Sequence, residues 1–260
     1  MDLKDVRFSE KTEKSGKKLI SNKDFKDLKD IILGNQLESE IVISFFDRNK
    51  DNTEPAYLED ERLSIDFERY TLIYSISEQE ERRFEKLKRL LLKIYQKSPE
   101  KYFVFRSDFT EYLAAVFISA QKKSTLGVDW KASTFFHEPY VFYKRKRQLQ
   151  ENVFDIVHIN RLARVLDFYE CKANINTFLR KLNYSGDSSK KRNAQSKLEY
   201  MKHVYFYFYY LGCCELEVCF FTLTQTISKK KSVPSFIRII KRNEIVNTLA
   251  QYENNQSLAH

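Results

Sequence analysis

Apolar residues recur along the chain in two rhythms, and the changes of rhythm mark the predicted elements. From Ser77 the spacing is helical: Phe84, Leu87, Leu90, Leu91, Ile94 and Tyr95 share one face. Ser77 followed by Glu80 is a capping-box pattern, and Pro99 ends the run. Upstream, a short helix is expected around Asp24–Leu33, a buried strand at Ile41–Phe46, a polar loop at Asp47–Glu61 and a strand at Tyr70–Tyr74. Downstream, Tyr102–Arg106 reads as a strand. A helix capped by Ser107 or Asp108 would then carry Phe109, Tyr112, Leu113, Val116 and Phe117, although Tyr112–Ala120 also fits a strand. Leu126–Ala132 and Thr134–Tyr143 look extended, with His137-Glu138-Pro139 as the turn between strands.

The last third has a clearer order. A helix is expected over Glu151–Glu170, from Ile159, Leu162, Ala163, Leu166 and Tyr169. A second follows over Asn174–Leu182, then a polar turn, then a third from about Ser188 to Leu211, stopped by Gly212. Leu216–Ile227 is rich in Val, Phe, Thr and Leu and reads as a strand, and Ser235–Ile240 returns as another across a basic turn. Three helices and a hairpin over about 151–242 resemble a winged-helix DNA-binding domain. That resemblance implies that the third helix enters the major groove and that the wing touches the DNA backbone or minor groove. It assigns Lys190, Lys191, Arg192, Asn193 and Gln195 to the first turn of the reading helix, and Lys197 and Lys202 to positions farther along it. Lys229, Lys230 and Lys231 fall at the wing tip, and Arg238 flanks it.

Charge supports a polyanionic partner. The 260-residue chain carries a formal net charge of +9, but residues 1–80 are net −6 and residues 81–260 net +15. Between Lys190 and Glu244 there are 11 Lys or Arg against 4 Asp or Glu. Cys171, Cys213, Cys214 and Cys219 include no CxxC pair, which argues against a zinc site and for free thiols in a reducing compartment. Met1 is followed by charged residues rather than a secretory signal. Val204–Leu223 is apolar but holds Glu215 and Glu217, so it reads as buried protein and not as a membrane span. The expected location is therefore intracellular, without membrane association.

Catalysis supplies a second reading. Asp129-Trp130-Lys131 is similar to the acid-x-Lys core of the restriction-endonuclease-like fold. There an upstream acid, for which Asp108 is the candidate, and the motif carboxylate hold Mg²⁺ while the lysine orients water. Gln148 lies where some members place a helical glutamine. Asp-x-Lys also occurs at Asp2–Lys4, Asp24–Lys26 and Asp27–Lys29. His158 and Arg161 match the His-x-x-Arg of tyrosine recombinases, but no second His or Trp precedes a suitably placed Tyr. No Walker A loop and no G-x-S-x-G is present.

The sequence thus predicts an α+β protein. Residues 1–61 form an acidic, partly mobile leader, and 62–147 a mixed helix-strand region suited to dimerisation or to a second winged helix. Residues 148–245 form a winged helix-turn-helix module, and 246–260 a tail. The expected function is sequence-specific binding of double-stranded DNA, as in a replication initiator or transcription regulator, with no cofactor and with a homodimer through the N-terminal part. The alternatives are a Mg²⁺-dependent nuclease and a protein-interaction subunit.

Overall fold

In the computed structural model the described residues are 3–10, 22–32, 36–73, 76–144, 146–147, 152–186, 188–212, 214–228 and 233–257. After a strand, β1 (Val6–Glu10), five helices follow one another: α1 (Lys23–Ile32), α2 (Gln36–Arg48), α3 (Ala56–Ile73), α4 (Glu78–Tyr95) and α5 (Pro99–Leu126). The capping box at Ser77 and Glu80 forms as predicted. A 3-10 turn, Gly127–Ala132, leads into β2 (Ser133–His137), β3 (Pro139–Tyr143) and β4 (Lys146–Arg147). Then come β5 (Ile156–Asn160), β6 (Val165–Lys172), α6 (Ile175–Leu182), α7 (Ser189–Leu211), β7 (Glu215–Thr222), β8 (Ile237–Ile240) and α8 (Arg242–Ser257).

The strands make a five-stranded sheet in the order β2-β5-β6-β7-β8 and a small sheet in the order β1-β3-β4. β2, β5 and β6 are antiparallel neighbours, whereas β6, β7 and β8 run parallel. The crossover from β6 to its parallel neighbour β7 is made by α6 and α7. Pleating divides the sheet's side chains between two cores. Tyr169, Cys171, Cys219 and Phe221 face the core shared with α1–α5 and α8. Leu166, Phe168, Val218 and Phe220 face the core shared with α6, α7 and β1.

Several expectations are corrected. Ile41–Phe46 is helical because α2 is enclosed by other elements and buries Ile41, Val42, Ile43, Phe45 and Phe46 around it, so tertiary packing overrides its β-branched residues. Tyr70–Ile73 belongs to α3, and Tyr102–Arg106 to α5. There Phe103 and Val104 point out while Tyr102, Phe105, Arg106 and Phe109 are buried, which is a helical period. The expected leader supplies β1, α1 and α2, with Val6, Phe25 and Leu28 buried.

A winged helix is not confirmed over 151–242. Its expected first helix is instead the β5–β6 pair, turned through Asn160–Arg164 with Arg164 in the left-handed region (φ 57°). Asn160 Oδ1 accepts from the Ala163 amide at 2.9 Å to close that turn. β5 and β6 are covered on both faces and bury nearly every side chain, His158, Asn160, Asp167 and Glu170 included, so a helical spacing of the apolar residues fits them by coincidence. Leu162, counted on the apolar face, is 71% exposed. The second and third helices form as expected, capped by Asn174 and Ser188, and Gly212 stops α7 at φ 60°. The expected wing is not a hairpin, because β7 and β8 pair in parallel.

Candidate functional site

Acidic and basic side chains converge at the carboxyl end of β6. Glu170 and Lys172 alternate with Cys171, so the pleat sends them to one face. Asp155 immediately precedes β5. Continuing the register from Ile156 opposite Tyr169 puts Asp155 opposite Glu170. The Cys171 amide donates to Asp155 Oδ2 at 2.6 Å, which fixes that carboxyl against β6. Lys172 Nζ lies 2.5 Å from Glu170 Oε1, 3.9 Å from Asp155 Oδ2 and 3.0 Å from the Cys171 carbonyl oxygen. Lys197, on α7, places its Nζ 2.6 Å from Glu170 Oε2 and also donates to the Val153 carbonyl. Glu111 approaches from α5, within electrostatic reach of Asp155.

The site's charges are strongly coupled. Burial, then the charge of Glu170, pushes the Asp155 carboxyl up to about 6, against the opposing effects of Lys172, Lys197 and the Cys171 amide. Burial, then the neighbouring Asp155, Asp108 and Glu138, pushes Glu111 up to about 8. Burial disfavours charge on Lys172, but Glu170 and Asp155 outweigh it and hold the ammonium well above its ordinary range. Burial pushes the Cys171 thiol up, so it is a neutral spacer and not a nucleophile.

Among the described residues, no three His, Cys, Asp or Glu side chains are already gathered as a ligand set. Both oxygens of Glu170 are instead engaged by lysine ammoniums. The donor chemistry of Asp155, Glu170 and Glu111 is all carboxylate oxygen, which suits a hard divalent cation such as Mg²⁺.

The nuclease residues expected from sequence are not brought together. Asp129 and Lys131 are exposed on the 3-10 turn instead of on a strand. Asp108 lies on α5, and about 27 Å of helix separates it from Leu126, which precedes that turn. Gln148 lies outside the described residues. The signal that marks the site was nevertheless present: Glu170-Cys171-Lys172 is the chain's only Glu-x-Lys. Its acidic position holds glutamate, which sets it apart from the four Asp-x-Lys segments of the chain.

The DNA-reading residues divide. Lys190, Arg192, Asn193 and Gln195 are exposed near the start of α7, with Lys191 half-buried beside them. Lys202 pairs with Glu199 at 2.7 Å. Lys197 turns inward to Glu170. Arg238 is held by Glu217 at 3.1 Å and by Glu244, so its charge is already balanced by carboxylates. Lys229, Lys230 and Lys231 lie outside the described residues. Among the described residues, no helix is long and apolar enough to cross a membrane.

A second cluster sits deeper in the sheet. His158 Nδ1 is 2.8 Å from Asp167 Oδ2, and His158 Nε2 is 3.0 Å from Ser133 Oγ. This is the atom order of a Ser-His-Asp triad, but His158 and Asp167 are fully buried and Asp167 also pairs with Lys122 of α5 at 2.9 Å. Its connections tie α5, β2, β5 and β6 together, which is a bracing role. His158 and Arg161 do not act together either: His158 is in this brace, and Arg161 donates to the Val6 carbonyl at 3.2 Å. Comparison with known proteins gives no match: no family model fits the chain, and no curated protein or solved structure is similar to it.

Proposed function

We propose that the protein is a divalent-metal-dependent nuclease acting on double-stranded DNA, with Glu111, Asp155, Glu170 and Lys172 as its site. The observation that carries this reading is an acid-x-Lys segment at the carboxyl end of β6 whose central amide, that of Cys171, donates to a second carboxyl, Asp155, just before the adjacent strand. Sites in sheets of this kind collect at the carboxyl ends of parallel strands. This is the chemistry that the sequence reading sought at Asp129, relocated by forty-one residues to Glu170.

Asp155 and Glu170 would hold the cation. When bound, a divalent cation neutralises phosphate charge and lowers the pKa of a water. Lys172 is positioned by Glu170 and the Cys171 carbonyl to donate hydrogen bonds to an attacking water or a phosphate oxygen. Lys197 orients Glu170 from the α7 side. The basic residues Lys190, Lys191 and Arg192 at the start of α7 supply contacts to the DNA backbone, which keeps the DNA-binding expectation within the nuclease reading.

The test incubates the full chain with supercoiled and linear duplex DNA, in Mg²⁺ or in EDTA. Cleavage in Mg²⁺ alone, lost on Glu170→Gln with unchanged circular dichroism, is the expected result. Salt-sensitive DNA binding without cleavage in Mg²⁺ or Mn²⁺ would return the protein to the class of non-catalytic DNA binders.

A further inference from the structure

A cavity of about 340 Å³ opens directly beside Lys172, between α5 and the start of α6. Its described walls include Lys50, Arg106, Lys172 and Lys181 and no Asp or Glu. Arg106 is only 8% exposed, yet its Nη2 has no hydrogen-bond partner among the described residues, while its Nε donates to the Phe46 carbonyl at 2.7 Å. Thr177 Oγ1, on the same wall, is likewise buried and without a partner among the described residues. Neighbouring Asp47 does not answer that guanidinium, because its oxygens are taken by Arg242, Asn174 and Thr224. Burial disfavours the charge on Arg106, and nearby Tyr102, Asp47 and Asp51 offset this only in part. A buried cation with an unsatisfied N–H is stabilised by an incoming anion, and a guanidinium matches phosphate geometry.

We propose that this cavity holds a phosphate-bearing nucleotide unit, with Arg106 and Thr177 on the phosphate, Lys50 and Lys181 at the rim, and Phe103 against the base or sugar. The size exceeds what a bare phosphate fills and falls in the range of small-ligand sites. Phe103 is 63% exposed at the opening, where stacking on a base would cover it. The proposal rests on the nuclease reading in one respect: contiguity with Lys172 makes the occupant a nucleotide next to the bond being cut.

Calorimetry on the full chain in EDTA tests binding apart from cleavage, with thymidine 5′-monophosphate, inorganic phosphate and 5′-phosphorylated or 5′-hydroxyl oligonucleotides as probes. The mononucleotide is expected to bind more tightly than inorganic phosphate. Thr177→Val and Lys181→Glu should each weaken it several-fold, and Arg106→Met by about tenfold or more. Thr177→Val and Lys181→Glu keep the test decisive if Arg106→Met does not fold. A preference for the 5′-phosphorylated oligonucleotide assigns the site to a strand end, and equal affinities assign it to an internal phosphate. Mononucleotide affinity unchanged in all three variants overturns the cavity proposal, even if Mg²⁺-dependent cleavage is observed. Conversely, binding lost in the variants of a protein that never cleaves would sustain the cavity and remove the nuclease.

Discussion

Glu111→Gln offers a quantitative check on the electrostatics of the site. The Glu111 carboxyl titrates at about 8 in the folded protein against an ordinary value of 4.5, because burial and the adjacent Asp155 oppose its charge. A carboxyl raised in this way leaves stability intact below 4.5, and its contribution is lost as the pH climbs from 4.5 through about 8. For a fully desolvated group that interval corresponds to about 5 kcal/mol. Glu111 keeps partial solvent access, so about 2–3 kcal/mol is the expected effect after screening. Glutamine has nearly the same shape and does not ionise. Urea denaturation in EDTA, followed by circular dichroism at pH 4.5, 6.5 and 8.5, should therefore show equal stabilities at the acid end. At pH 8.5 the variant should be more stable by roughly 2–3 kcal/mol. Wild-type and variant stabilities that run parallel across this range would refute the claim that Glu111 is held in a desolvated, acid-rich site.

Lys122→Met removes the cation from buried Asp167 and leaves that carboxylate against His158 alone, so thermal unfolding should report a loss of about 3 kcal/mol. The double change Lys190→Ala and Lys191→Ala should reduce the slope of log affinity against log salt by about 2 in duplex binding, whereas Arg238→Ala, already paired with Glu217 and Glu244, should leave that slope unchanged.

What could be read from the sequence depended on how many faces of an element are buried. Helices with one buried face, such as α4 and α7, and elements with clear stops at Ser77, Asn174, Ser188 and Gly212, were legible. The strand β7 was legible from its Val and Phe content. Elements enclosed on both sides were not, because burial on every side removes the one-faced pattern that separates helix from strand. Thus Ile41–Phe46 reads as a strand and Glu151–Glu170 as a helix along the sequence, and the second reading conceals the site. On a helix Glu170 and Lys172 point to different faces, whereas on β6 they share one. The pairing of Asp155 with Glu170 follows from strand register, which no local pattern encodes. Glu111 is drawn in by the packing of α5 on the sheet, which is equally invisible along the chain.

The most direct test compares two single substitutions in one assay. Duplex DNA cleavage in Mg²⁺ is measured for the wild-type chain, for Glu170→Gln and for Asp129→Asn, each checked for folding by circular dichroism. The site at the end of β6 predicts cleavage by the wild type and by Asp129→Asn, and none by Glu170→Gln. Cleavage that survives Glu170→Gln, or that disappears with Asp129→Asn, would contradict it.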